Sequence, residues 1–227
     1  MANHAKSEVA QLFSEHGVVL VHCSGEVKGS GNEETNRHNP LERIFYASDH
    51  RPDVCCSTIR PGDSLYRRNF YGPLGLIIDP IELSNISVCW PGDAGTTLDS
   101  EGKRFSTRGF GCNTLADVSR AITDRGTPQL GETIADPYNE ICCADFKIVG
   151  LFALGFEVDF GAPGFPDHLH VRIKDVGAVL PNLPLFLWDT TQGIFLRLNF
   201  DSATGDYDRT TAAIVPVAAL YDEPRRF

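Results

Sequence analysis

Short apolar runs that stop at glycine or proline recur along this chain, and they constrain its fold more than any other feature. Such runs are typical of β-strands bounded by turns, and the 227 residues include 21 glycines and 14 prolines. Helical patterns do not alternate regularly with these runs, so a parallel sheet with crossover helices is not indicated. We therefore predict an α+β fold that is mainly β, with two packed sheets and a few helices.

The boundaries of the predicted elements follow from the same runs and from capping residues. Thr114 is a typical N-cap residue, Asp117 lies in the first helical turn, and Gly126 ends the pattern. Helices are predicted over 5–16, 41–48 and 114–125, and strands over 18–24, 54–59, 74–79, 86–90, 141–149, 151–158, 168–173, 185–188, 194–200 and 212–217.

The acidic balance of the chain limits its partners. The net charge is −10 and the pI is near 5.1, so the surface repels nucleic acid and anionic lipid. No apolar run reaches the ~18 residues that cross a membrane. Residues 1–16 lack the basic start and apolar core of a secretory signal. We expect no membrane partner, and a protein that is cytoplasmic or delivered into a host cell without a classical signal peptide.

The seven cysteines do not resemble a disulfide framework. Their number is odd, two adjacent pairs occur, and no CxxC spacing of a zinc site is present. We interpret them as small buried thiols in a reducing compartment and predict no metal site.

Three features of the chain suggest chemistry. His22 and Ser24 alternate along one predicted strand, so both side chains face the same way and could hold neighbouring groups of one ligand. Gly72 lies in a turn before another strand, where a flat ring could approach the backbone closely. Glu140 precedes an apolar run, and a buried carboxylate is costly without a partner.

The order of these features resembles the ADP-ribosyltransferase family, in particular its poly(ADP-ribose) polymerase-like branch. That branch has a His followed two residues later by Ser or Thr, similar to residues 20–24 (LVHCS). Its aromatic, glycine-containing turn is similar to 71–77 (YGPLGLI), and its catalytic Tyr-Asn-Glu strand to 138–141 (YNEI). The resemblance covers about residues 18–158 and implies a split two-sheet core.

The resemblance implies that NAD is the substrate. In this family His22 would bond the adenosine ribose and Ser24 the nicotinamide amide, with backbone contacts from Cys23 or Gly72. Glu140 would be catalytic, bonding the 2′-hydroxyl of the nicotinamide ribose and stabilising the positive charge that develops as the glycosidic bond opens.

This chain departs from that branch in the glycine-containing turn, and it shares one feature with the other branch of the family. Ile77 stands where the family has a Tyr, so Tyr71, Phe70 or Tyr66 would have to stack on nicotinamide. The other branch of the family has Ser-Thr-Ser on its second strand, and the Cys-Ser-Thr run around Ser57 is similar to it. Ser57 is therefore a further candidate for cofactor binding.

The domain organisation and the acceptor are expectations from the same resemblance. A Gly/Pro-rich stretch near residue 160 would separate an ADP-ribosyltransferase-like domain (1–159) from a β-rich C-terminal extension (160–227). We expect transfer to a macromolecule, as by a toxin or effector. The acidic surface favours a protein acceptor over a nucleic acid.

The first alternative is a phosphatase, because residues 18–31 also resemble the tyrosine-phosphatase signature around Cys23. Gly29 stands at the position of the phosphate-binding Arg, and without that Arg oxyanion binding is poor.

A second alternative is a zinc metallo-endopeptidase that uses His168 and His170, a His-x-His pair on a predicted strand. Such an enzyme needs an earlier His and Asp, for which the nearest pair is Asp49 and His50.

The third alternative is a non-catalytic β-rich binding module, in which His22 and Glu140 would lie far apart.

Overall fold

The structure, a computed structural model, describes residues 6–23, 53–60, 63, 74–92, 94, 101, 110–127, 139–154, 177–189 and 194–222. The α-helices whose two ends are both described are α1 (Glu8–Glu15) and α2 (Leu115–Thr123). Residues 177–179 are helical as well. Its strands are β1 (Val19–Cys23), β2 (Val54–Ile59), β3 (Leu74–Asp79), β4 (Ile86–Trp90), β5 (Glu140–Cys143), β6 (Lys147–Leu154), β7 (Leu185–Asp189), β8 (Ile194–Asp201) and β9 (Asp206–Pro216).

The strands form one 9-stranded sheet in the order β4-β5-β2-β1-β3-β6-β7-β8-β9. Strands β6 and β7 are parallel, and the other neighbouring pairs are antiparallel. The prediction of a mainly β fold with few helices is confirmed. The strand order gives a single mixed sheet, and its division into two sheets stays a prediction. Across the described ranges, no helix is long and apolar enough to cross a membrane.

Strands β1 and β2 pair over only part of their lengths. Residues 19–21 of β1 lie opposite 57–59 of β2. Further along, residues 21–23 of β1 are in register with β3, whereas residues 54–56 of β2 are in register with β5. The sheet therefore has a point, just after Val21, at which the pairing of β1 with β2 stops.

The main core lies where both helices pack on the sheet. Val9 and Phe13 of α1 and Val118 and Ile122 of α2 are at most 2% exposed and belong to the same apolar cluster as the central strands. Burial of these side chains supplies the main stabilisation of two helices that are too short to persist alone in water.

Helix α2 begins as the sequence predicts, at a Thr114 N-cap. The Thr114 hydroxyl accepts from the Asp117 backbone N–H at 3.2 Å, and the Asp117 carboxylate accepts from the Thr114 N–H at 2.9 Å. Hydrogen bonds from the Asn113 backbone and from Thr114 lower the pKa of Asp117. This reciprocal capping box satisfies donors that the first turn leaves free.

A short 3₁₀ helix (Val217–Asp222) closes the core from the C-terminal side. The Tyr221 hydroxyl accepts from Leu20 N at 2.9 Å and donates to Ile78 O at 3.1 Å, so it joins β1 to β3. Its ring lies 5.7 Å from that of Phe13 in α1. Burial raises the pKa of Tyr221 well above its usual value, which keeps the hydroxyl proton available as a donor.

The prediction that every cysteine is a thiol is wrong for one pair. Cys89 of β4 and Cys112, just before α2, form a disulfide with a Cα–Cα distance of 5.3 Å. Their separation of 23 residues carries no pairing signal that a count of cysteines could detect. The bond fastens the start of α2 to the edge strand β4, and it leaves the assignment to a reducing compartment without support from the cysteines.

Three predicted strand boundaries are also wrong. The run 141–149 is broken by a bend at Ala144 and Asp145, so it supplies β5 and the start of β6. The strand predicted to begin at 151 is not separate, because β6 continues from Lys147 through Gly150 to Leu154. Strand β9 begins at Asp206, before the predicted start at 212, because polar residues of an edge strand hide its pattern. The predicted helix 41–48 and strand 168–173 lie outside the described residues.

The strands of the C-terminal part continue the same sheet. Residues 151–154 of β6 pair with 185–188 of β7, and β8 and β9 follow in order. The boundary near residue 160 stays a prediction.

Candidate active site at the head of strand β5

Glu140 is the first residue of β5 and lies between two other strands. Trp90 of β4 is opposite it, and on the other side the next residue, Ile141, is opposite Cys56 of β2. Its carboxylate Oε2 accepts from the Ala94 backbone N–H at 2.8 Å. A partly buried carboxylate on an inner strand is thus fixed by a backbone donor, which compensates part of its desolvation.

Asn139 fixes the chain immediately before Glu140. This residue is 1% exposed, and its Oδ1 accepts from Ser57 Oγ at 2.9 Å, Thr58 N at 2.8 Å and Thr58 Oγ1 at 3.1 Å. Its Nδ2 donates at 2.8 Å to the carbonyl of Ala121, one of the last carbonyls of α2. One amide therefore ties β5 to both β2 and α2.

His22 lies on β1 at the point where β1 and β2 stop pairing. Its Nδ1 is 2.8 Å from the carbonyl oxygen of Cys55, so Nδ1 carries the proton and donates. If the β1–β2 register continued, Cys23 would lie opposite Cys55. The imidazole thus bonds the Cys55 carbonyl at the position where backbone pairing of β1 with β2 would otherwise have continued.

Glu140 and His22 both contact Cys55, but by different routes. Glu140 Oε1 is 3.5 Å from the Cys55 thiol, whereas His22 bonds the Cys55 carbonyl. Val21 lies opposite Ser57, so strand alternation places His22 on the face opposite to Cys55 and Ser57. Glu140 shares the face of Cys55 and Cys142, so the His22 side chain and the Glu140 carboxylate lie on opposite faces of the sheet.

Two thiols lie against the Glu140 carboxylate. Cys55 and Cys142 face each other across β2 and β5, their sulfurs are 3.2 Å apart, and the Cys142 sulfur is 3.5 Å from Glu140 Oε1. The hydrogen bond to Cys55, burial and the nearby Glu140 charge raise the pKa of Cys142 well above its usual value. Both thiols are free of disulfide bonds.

An apolar wall borders this carboxylate and the thiols. Val88, Ala94 and Phe110 form a small buried cluster with Cys142, and Trp90 packs against it. The Trp90 and Phe110 ring centroids are 3.9 Å apart. Such a wall lowers the local dielectric constant, which strengthens any charge interaction that Glu140 makes.

The remaining predicted site residues divide into two groups. Ser57 is described, and its hydroxyl donates to Asn139 Oδ1 and accepts from Asn139 N at 3.1 Å; its cofactor role stays a prediction. Cys23 is described only in its backbone, which is in register with Gly75 of β3. Outside the described residues lie Ser24, Tyr71, Gly72, His50, His168 and His170.

The sequence analysis missed Asn139 and the thiol pair of Cys55 and Cys142. The signal for Asn139 was its place inside the Tyr-Asn-Glu run, where only the Glu received a role. The signal for the thiols was the occurrence of two Cys-Cys pairs on different strands, since alternation turns one cysteine of each pair to each face. Only the register of β2 with β5 shows which cysteines meet.

Comparison with known proteins found no matching family model, no matching curated protein and no matching solved structure.

Proposed function

We propose that this protein transfers ADP-ribose from NAD to a macromolecule, with Glu140 as the catalytic residue. The observation that carries the proposal is the placement of Glu140 at the head of an inner strand, anchored by the Ala94 N–H and preceded by the fully engaged Asn139. The order of His22, the glycine-containing turn and Glu140 along the chain supports it.

In the proposed reaction the bond between C1′ of the ribose and the nicotinamide nitrogen breaks, and nicotinamide leaves as a neutral ring. Positive charge develops on the ribose, and a fixed carboxylate stabilises that charge most in the transition state. The acceptor nucleophile then bonds C1′ and loses its proton to Glu140 or to water. Because the Ala94 N–H holds Oε2 at 2.8 Å, whereas the two thiols contact Oε1 at the longer distance of 3.5 Å, Oε1 is the oxygen assigned to the ribose 2′-hydroxyl.

The end of β1–β2 pairing is where we place the coenzyme, and it is also where we propose that the sheet divides into two. On one side β1 continues against β3, and on the other the start of β2 continues against β5. A ligand entering between them would meet the His22 ring and the Glu140 carboxylate from opposite faces. In this arrangement His22 bonds the adenosine ribose, while the Trp90 and Phe110 rings border the nicotinamide end.

The decisive experiment is nicotinamide release from NAD by the wild type and by Glu140→Gln. Gln keeps the size of the side chain and removes its charge, so we expect turnover to fall about 10²–10³-fold while NAD binding, followed by thermal shift, persists. Glu82→Gln, at an exposed position, is the matched control and should retain the wild-type rate. Equal turnover by wild type and Glu140→Gln would refute the assignment.

The acceptor is tested by adding candidate macromolecules to the same assay. We propose a protein acceptor, so protein should accelerate nicotinamide release and acquire ADP-ribose, whereas single-stranded and double-stranded DNA should do neither. Release that no macromolecule accelerates would make the protein an NAD hydrolase.

A further inference from the structure

We propose that Cys55, Glu140 and Cys142 bind one Zn²⁺ ion through both sulfurs and Oε1, and that this ion takes Glu140 out of catalysis. The ligand atoms of the three residues all lie within 4.8 Å of one another. The binding stands on this geometry alone, whereas the inhibition also rests on the proposed function.

The distances between these atoms fit a tetrahedral zinc ion. With Zn–S near 2.3 Å and Zn–O near 2.0 Å, tetrahedral angles separate sulfur from oxygen by about 3.5 Å and the two sulfurs by about 3.8 Å. Both sulfur–oxygen distances in the structure are 3.5 Å, and the sulfurs are 3.2 Å apart. A side-chain rotation that moves the two sulfurs apart by roughly half an ångström would admit the ion.

The sheet prearranges these three ligands. Cys55 and Cys142 are directly opposed on adjacent strands, and Glu140 precedes Cys142 by two residues on the same face. The Ala94 N–H holds Oε2 at 2.8 Å and so orients Oε1 towards the thiols. A donor behind a carboxylate ligand is the kind of outer contact that strengthens metal sites.

The donor set selects the metal. Two thiolates and one carboxylate suit Zn²⁺, whereas Mg²⁺ and Ca²⁺ require oxygen ligands. When the sulfurs coordinate, each thiol releases one proton to solvent. Three protein ligands leave the fourth position of the ion for water. Oxygen Oε1 then bonds zinc and is withdrawn from the ribose.

Cobalt substitution tests the binding without any enzyme assay. The full chain with its Cys89–Cys112 disulfide intact, first stripped with a chelator, should bind one Co²⁺ with thiolate-to-cobalt charge-transfer absorption, and one Zn²⁺ should remove that absorption. Cys55→Ala and Cys142→Ala should each abolish it, and Glu140→Gln should weaken cobalt binding at least about tenfold. Cys143→Ala, on the same strand but the opposite face, is the matched control and should retain it.

The wild type alone provides a second readout if a variant fails to fold. Zinc should protect Cys55 from a maleimide, because Cys55 is the partly exposed thiol of the pair. Absence of charge-transfer absorption in the wild type, or its persistence in both Cys55→Ala and Cys142→Ala, would overturn the proposal. Zinc binding without that absorption would locate the ion elsewhere and would overturn it equally.

The inhibition is measured as nicotinamide release with and without zinc, each variant being compared with its own zinc-free rate. Zinc should suppress the wild type, a chelator should restore it, and Cys142→Ala should lose the sensitivity. If no form of the protein releases nicotinamide, the proposed function fails while the cobalt spectrum still decides the metal site. If zinc binds and release is unchanged, the inhibition is refuted.

Discussion

Replacing Asn139 by Ala should destabilise the protein more than loss of a typical buried polar side chain. The side chain accepts three hydrogen bonds and donates one, all between 2.8 and 3.1 Å. Each bond contributes about 1 kcal/mol net, which gives about 4 kcal/mol. Because three bonds share one acceptor and the hydroxyls can reorient, we expect a loss of about 3 kcal/mol in the free energy of unfolding.

Urea unfolding at fixed pH measures this loss, and Asn85→Ala is the matched control. The Asn85 side chain donates one hydrogen bond, to the Pro80 carbonyl at 2.7 Å, so its removal should cost about 1 kcal/mol. Asn139→Ala should also slow nicotinamide release, because Glu140 follows it directly. Equal destabilisation by the two variants would refute the claim that the Asn139 side chain holds β2 and α2 against the start of β5.

Two further predictions concern the folded scaffold. Hydrogen bonds from Asn113 and Thr114 lower the folded-state pKa of Asp117. The stability that Asp117 contributes is therefore present above its unfolded pKa of about 3.9 and is lost as the pH falls through the lower folded pKa. In urea titrations at acid pH the destabilisation by Asp117→Asn should shrink, and a constant difference down to about pH 2 would argue against this prediction. A Cβ at Gly150 would lie 2.5 Å from the Phe186 ring, whereas a Cβ at Gly111 would meet nothing within 4 Å. Thermal unfolding should show that Gly150→Ala lowers the free energy of unfolding by about 1–3 kcal/mol. The control Gly111→Ala should lower it far less.

Much of the local structure follows from sequence because the signals are local. Strands β2, β3 and β4 have the predicted bounds, since each is a largely apolar run with turn-forming residues beyond its ends. Helix α2 begins at the predicted Thr114 cap because capping depends on residues three apart. The start of β9 was missed since its edge position leaves most side chains exposed, so no apolar pattern marks it.

The candidate site was less predictable because it depends on register. Glu140 was expected at the head of a strand from its place before an apolar run, and it lies there. The thiol pair at its carboxylate required knowing that Cys55 lies opposite Cys142, and a shift of one residue would have brought different side chains together. The engagement of Asn139 with Ala121 required the packing of α2, which no local pattern encodes.

The Tyr221 contacts have a consequence for biosynthesis. The Leu20 backbone N–H bonds a side chain that lies 201 positions later in the chain, so the contacts of β1 are complete only after those residues have been synthesised. Contacts this distant along the chain slow folding, and the apolar side chains of the nascent N-terminal strand, which are buried in the folded protein, stay exposed to water for that time. A chaperone that shields apolar strands during translation should therefore raise the yield of this protein more than that of a helical bundle of equal length.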